Sequence, residues 1–193
     1  MGKFQFYHIN EHYVSYLHSI DNRVQYNKGQ RRPYVGVVLS INGVDYYVPL
    51  ESPKDNHANI KGGGPVMKLD EGRLGVMGFN NMIPVLDSCL IKFDIQAVRD
   101  TKYKMLLLNQ LEYCNKNRDL ILQRAQTTYR RALSRKIPLY QKVCCNFESW
   151  RERVRDTIPT MFHPKRRFMS PYLPNKTFQE RLIRCSFLVF TIF

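Results

Sequence analysis

The chain is predicted to be an α+β protein: a small antiparallel β-sheet or barrel carrying one inserted helix, followed by a basic helical second half. The first observation behind this is a pair of runs, Tyr34–Ile41 and Val44–Leu50, rich in β-branched and aromatic residues. They flank Asn42-Gly43, a dipeptide suited to the two-residue turn of a β-hairpin. The second is a change of period at Thr101, after which Tyr103, Leu107, Leu111 and Cys114 recur at helical spacing. The third is size and composition. At 193 residues and 44% hydrophobic, the chain can bury a core of ordinary domain size.

Taken in order, Lys3–Ile9 is short and aromatic and reads as a strand. Asn10 then suits the N-cap of a helix whose Tyr13, Tyr16, Leu17 and Ile20 share one face. Residues 21–32 are polar and read as a loop that carries Lys28, Arg31 and Arg32. The hairpin follows and ends at Pro49-Leu50-Glu51-Ser52-Pro53-Lys54-Asp55-Asn56-His57. Gly62-Gly63-Gly64 reads as a flexible loop, since no Gly-Lys-Ser/Thr follows to make a phosphate-binding loop. Arg73–Phe79, Met82–Leu86 and Cys89–Ile95 are β-like, with Pro84 placing the middle one at an edge or bulge. Asn115-Lys116-Asn117 weakly breaks the helical half, whose Arg124, Arg131 and Arg135 fall close together on a helix surface.

The chain carries 30 Lys and Arg against 16 Asp and Glu, a net charge of +14, which points to a polyanionic partner, nucleic acid first. The excess is unevenly placed: residues 1–99 carry a net +2, residues 100–147 a net +7 and residues 148–193 a net +5. The five cysteines include no Cys-x-x-Cys pair, which fits reduced thiols in a cytoplasm and offers no zinc-ligand spacing. The five histidines form no metal motif either, so no metal and no cofactor are expected. The apolar run 187–193 falls well short of the ~20 residues a membrane-spanning helix needs, so no membrane partner is expected.

The turn at 49–57 concentrates a carboxylate, a hydroxyl, an ammonium and an imidazole on a backbone stiffened by Pro53. Such a strand end suits chemistry on a phosphate and equally suits an ordinary polar corner. Antiparallel pairing brings the start of the first hairpin strand beside the end of the second, so Arg32 and Ser52 should be neighbours. The arginines at 124, 131 and 135 lack nearby acidic partners and read either as an RNA contact or as a solvated face.

Taken together, Phe6-Tyr7, Tyr13-Val14-Ser15-Tyr16-Leu17, Tyr34-Val35-Gly36-Val37-Val38-Leu39, Glu51-Ser52-Pro53-Lys54, Leu74-Gly75-Val76-Met77, Met82-Ile83-Pro84, Tyr103-Lys104 and Cys145-Asn146-Phe147 resemble the ToxN/AbiQ/CptN family. These are the toxins of type III toxin–antitoxin systems. The resemblance implies a compact β-barrel core like that of the Kid/MazF toxins, decorated by helices, in one domain over residues 1–155. Residues 156–193 have no counterpart in it. It implies a metal-independent endoribonuclease that cuts its own repeat antitoxin RNA and is inhibited by the resulting pseudoknot in a closed ring of protein and RNA. Released toxin would cut cellular or phage mRNA, arresting growth and limiting phage infection.

On this resemblance Ser52, Lys54, Arg32 and Tyr13 fall on family active-site positions, while Glu51 stands where relatives often carry a small hydroxyl residue. RNA can be cut without metal when its own 2′-OH attacks the adjacent phosphorus. Lys54 and Arg32 suit the phosphate, Ser52 suits positioning, Tyr13 and His57 suit proton transfer, and Glu51 is a second-rank base. Lys28, Arg31, Arg124, Arg131 and Arg135 are the expected RNA contacts. The competing expectation is a non-catalytic basic RNA-binding module.

Overall fold

The computed structural model describes residues 2–26, 29, 31–134 and 136–150. Among them seven strands form one antiparallel sheet: β1 (Gln5–Ile9), β2 (Tyr34–Ile41), β3 (Val44–Glu51), β4 (Val66–Lys68), β5 (Val76–Gly78), β6 (Ile83–Val85) and β7 (Leu90–Lys92). Helix α1 (Glu11–Ile20) follows β1, and α2 (Thr101–Lys116), α3 (Arg118–Leu133) and α4 (Pro138–Val143) follow the sheet. The basic helical second half is therefore present as expected.

Local chemistry explains the boundaries. The Asn10 side chain accepts a hydrogen bond from the Tyr13 N–H at 3.2 Å, capping α1 as its sequence predicts. Asn42 and Gly43 both take positive φ, 53° and 78°, the pair of left-handed residues that a tight hairpin turn requires. Asp100 caps α2 by accepting from the Tyr103 N–H at 3.0 Å. Helices α2 and α3 meet at Asn117, the break read in the sequence.

The sheet runs β4-β5-β3-β2-β1-β7, with β6 also paired to β3. It is an open sheet, and the expectation of a closed barrel is corrected here. Closure needs a continuous staggered ladder around the whole ring. Instead β4, β5, β6 and β7 are three residues each. Strand β3 pairs with β2 along one edge and divides its other edge between two short strands. Asp45, Tyr46 and Tyr47 face β6, whereas Leu50 and Glu51 face β5. The short strand β4 was not legible in the sequence.

The core joins this sheet to the helices. Tyr13, Val14 and Leu17 of α1 are buried, as are Ile121, Ala125, Thr128 and Tyr129 at helical spacing on α3. Tyr46, Tyr129, Phe147 and Trp150 meet ring to ring. The segment after α4 is locked back onto the sheet side: the Cys145 N–H donates to the Asn80 carbonyl at 2.8 Å. Cys89, Cys114, Cys144 and Cys145 are free and buried. Burial pushes the thiols of Cys89 up to about 11 and of Cys114 to about 12. Among the described residues no helix is long and apolar enough to cross a membrane. The tail 156–193, with its apolar end, lies outside the described residues.

Candidate active site

Strand β3 ends at Glu51, and Ser52, Pro53 and Lys54 run exposed from its end into a 3-10 turn, Asp55–Asn59. The His57 N–H donates to the Lys54 carbonyl at 3.0 Å and so fixes the exit of the turn. Gly75 fixes its back. This residue has φ +90°, and a Cβ placed there would sit 1.9 Å from the Glu51 carbonyl oxygen. Only glycine permits this approach of one backbone to another.

Three basic groups converge on Glu51. Lys54 Nζ donates to Oε2 at 2.6 Å, Arg32 Nη1 lies 3.7 Å from Oε1, and the His57 imidazole lies within electrostatic reach. Burial raises the carboxyl's pKa and is the largest single influence. The Lys54 hydrogen bond and the charges of Lys54, Arg32 and His57 together outweigh it, and Glu51 is held below the ordinary carboxylate range. A carboxylate in that state is a poor proton acceptor and a good anchor for a lysine.

Arg32 reaches the turn through the hairpin, as expected: Tyr34 pairs with Pro49, and the Leu50 N–H donates to the Pro33 carbonyl at 3.0 Å. Its position differs from the expectation in one respect. Arg32 is only 8% exposed and lies beneath Glu51. Its guanidinium donates to the Gln25 side chain, and its backbone is hydrogen-bonded by His8. Burial lowers the His8 pKa and outweighs that hydrogen bond, which raises it. Arg32 therefore supplies a positive field from below, while Lys54, with its side chain 49% exposed, supplies it at the surface.

His57 is buried at 6% exposure, and its Nδ1 has no hydrogen-bond partner. A buried imidazole nitrogen without a partner is costly, and such groups often belong to functional sites. Tyr13 is not brought to this cluster. It is fully buried, and its hydroxyl donates to the Pro84 carbonyl at 2.7 Å. Pro84 pairs with Tyr46, five residues from Glu51 along β3, or roughly 16 Å of extended strand. Burial pushes the Tyr13 phenol well above its ordinary value, which suits a core tie and not a proton shuttle.

The expected RNA contacts divide. Arg31 is exposed beside the turn's approach. Arg124 Nη1 donates to the Gly64 carbonyl at 3.4 Å and ties α3 to the glycine loop. Arg131 donates to the Tyr140 hydroxyl at 3.0 Å and lies over that ring. Both of these arginines thus have intramolecular partners. Lys28 and Arg135 lie outside the described residues.

Sequence reasoning missed four residues that support the site. Lys68 pairs with Val76, which pairs with Glu51, so the three lie in one row across the sheet. Its ammonium donates to the Ala58 carbonyl at 2.9 Å, next to His57. Gln110, buried on α2, donates to the Leu74 carbonyl at 2.7 Å and braces the loop that holds Gly75. Gln25 and His8 hold Arg32. Only the glycine between Leu74 and Val76 left a sequence signal. Among the described residues no group of three or more His, Cys, Asp or Glu could hold a metal ion.

Comparison with known proteins gives this geometry a family. The chain is 33% identical over 161 residues to the endoribonuclease ToxN of Bacillus thuringiensis subsp. kurstaki, covering 79% of this chain and 83% of that one. It is 32% identical over 155 residues to the endoribonuclease AbiQ of Lactococcus lactis subsp. lactis, covering 75% and 84%. The solved structure of AbiQ, a lactococcal anti-phage endoribonuclease of a type III system, superposes with a TM-score of 0.69 at 26% identity over 80% of this chain and 97% of that one. A chain from a structure of a type III system, in which a non-coding RNA pseudoknot inhibits the toxin, superposes at 0.67 and 31% identity over 80% and 97%. Residues 5–155 match the model of the family described as toxin ToxN, type III toxin–antitoxin system. The chain belongs to the ToxN family of type III toxin–antitoxin toxins.

Proposed function

We propose that the protein is an endoribonuclease toxin that cuts single-stranded RNA at the β3 turn and is restrained by a repeat RNA folded as a pseudoknot. The observation that carries the site is the convergence of Lys54, Arg32 and His57 on Glu51 beside the exposed Ser52. Endoribonuclease relatives with the same fold support the reaction class.

The roles follow from position. Lys54 keeps one N–H on Glu51 and has two further donors for a phosphate oxygen at the surface. Arg32 adds positive potential from beneath, in a partly buried site where it is weakly screened. Ser52 hydrogen-bonds the phosphate or the 2′-OH and holds the attacking oxygen in line with the leaving 5′ oxygen. The 2′-OH attacks phosphorus, its proton passes to a base, and the 5′ oxygen leaves with a proton. His57, whose ring nitrogen lacks a partner, is the group assigned to that proton traffic. The products are a 2′,3′-cyclic phosphate and a 5′-OH, and cleavage proceeds in EDTA. Assembly with the antitoxin RNA is assigned to a closed ring of alternating toxin and RNA.

Ser52→Ala tests the reading. Its cleavage of single-stranded RNA should fall about 100-fold or more, with RNA binding and thermal midpoint retained. A wild-type protein that binds RNA and never cuts it would leave a basic RNA-binding module instead.

A further inference from the structure

Next in the chain to Gln25, which the Arg32 guanidinium holds, stands an aromatic pair that the chemistry above does not use. Tyr26 is 58% exposed. One side of its ring lies on His18, with centroids 3.9 Å apart and planes 31° from parallel. The imidazole is itself anchored, since His18 Nδ1 donates to the Val24 carbonyl at 2.6 Å. Val24 is buried and pinned by its N–H to the Asp21 carbonyl at 3.0 Å. The exposed tyrosine is therefore a ring backed by a second ring on a fixed base.

Its place matters as much as its support. Gln25, the preceding residue, accepts the hydrogen bond from the Arg32 guanidinium that lies under Glu51. Tyr26 is thus one Cα step, about 3.8 Å, along the chain from a residue touching the charge cluster. His18 also borders an open surface depression lined by Ser19, Asn22, Arg23 and Asn146.

We infer that Tyr26, backed by His18, is a nucleobase-stacking subsite that holds a base of the single-stranded RNA next to the phosphate at Ser52 and Lys54. Every base presents a π-face, so stacking grips the strand without reading its sequence. The imidazole covers one side of the Tyr26 ring and more than half of the residue stays in solvent. This subsite rests on the ribonuclease reading for its position relative to the cut, but base stacking can be measured without cleavage.

The measurement uses the full chain with Ser52→Ala, so that RNA is bound and not cut. The sequence contains one tryptophan, Trp150, and it is fully buried, so Tyr26→Trp adds a single exposed reporter. Titration with a short unstructured RNA oligonucleotide should quench this reporter. Tyr26→Ala should weaken binding of the same oligonucleotide about tenfold or more, and Tyr26→Phe by less than about threefold. With Ser52 restored, Tyr26→Ala should raise KM by the same factor and leave kcat within about threefold. An unquenched tryptophan, or an alanine variant that binds as tightly as the parent, overturns the subsite. Failure of the wild type to cut RNA would instead overturn the proposed reaction, with the quenching still reporting the stack.

Discussion

Two acidic residues in this molecule are held in nearly the same way and serve different ends. Glu51 is bound by Lys54 and faced by Arg32, and Asp21 is bound by Arg23 through its Nε at 2.8 Å and Nη2 at 3.1 Å. Burial raises both carboxyls and is the largest influence on each, yet their basic partners hold both below the ordinary range. The difference lies in what surrounds them. Asp21 also accepts the Asn146 N–H at 2.6 Å, so its pair rivets the end of α1 to the segment after α4. Glu51 adjoins an exposed serine, an exposed lysine and an imidazole nitrogen without a partner. A depressed carboxylate therefore does not by itself mark a site. Exposed groups with donors to offer, here Ser52 and Lys54 beside a buried imidazole nitrogen without a partner, do.

The Glu51 side depends on how closely two backbones approach. Gly75→Ala puts a methyl group 1.9 Å from the Glu51 carbonyl oxygen on a residue at φ +90°. The turn must move or the sheet edge must open, and the expected cost is about 3 kcal/mol in urea unfolding. Cleavage should fall with it, even where the variant is still fully folded. Retained activity at full stability would mean that the position of the turn is not what matters.

The opposite side is broken by Asp21→Asn. The amide cannot serve the Arg23 guanidinium and the Asn146 N–H together, and about 2 kcal/mol of stability should be lost. RNA cleavage in the folded range should stay within about twofold. The pH profile adds a check. The folded-state pKa of Asp21 is depressed below the ordinary value near 3.8, so its contribution is complete above that value and fades as pH falls through the folded one. Wild type should therefore lose more stability than the Asn variant between about pH 5 and pH 2. Parallel acid profiles for the two proteins would remove the rivet from the account.

Much of this contrast was legible in the sequence, and the illegible part has a physical cause. Asn42-Gly43 fixed the hairpin, and hairpin pairing carried Arg32 to the turn, because both depend on neighbours in the chain. The open sheet was not legible, because whether a barrel closes depends on how two three-residue strands divide one edge of β3. The tie of the Tyr13 hydroxyl was not legible either, since its partner, the Pro84 carbonyl, is 71 positions away. The supports from His8, Gln25, Gln110 and Lys68 were equally invisible. Each joins a side chain to a residue that only the fold brings near.

Glu51→Gln acts at the turn itself. If Glu51 anchors Lys54, the amide still accepts one hydrogen bond but loses its charge, and kcat should fall about tenfold with the optimum pH unchanged. A catalytic base would behave differently, with a loss in the range of roughly 100- to 10,000-fold and an acidic limb removed from the pH–rate profile.

The smallest expected effect concerns the basic half, where Arg131 stands for the residues expected to grip RNA. Its guanidinium is committed to the Tyr140 hydroxyl and ring, and Tyr140 is buried at the start of α4. Arg131→Ala should cost about 1 kcal/mol through lost packing and the orphaned hydroxyl. Its effect on RNA affinity separates the two roles. A phosphate contact shows as a fall of about one in the slope of log affinity against log salt. An arginine that belongs to the fold leaves that slope unchanged while the melting temperature drops, and this is the outcome its geometry favours. Arg31→Ala, at the exposed position next to Arg32 in the chain, should lower the slope by about one.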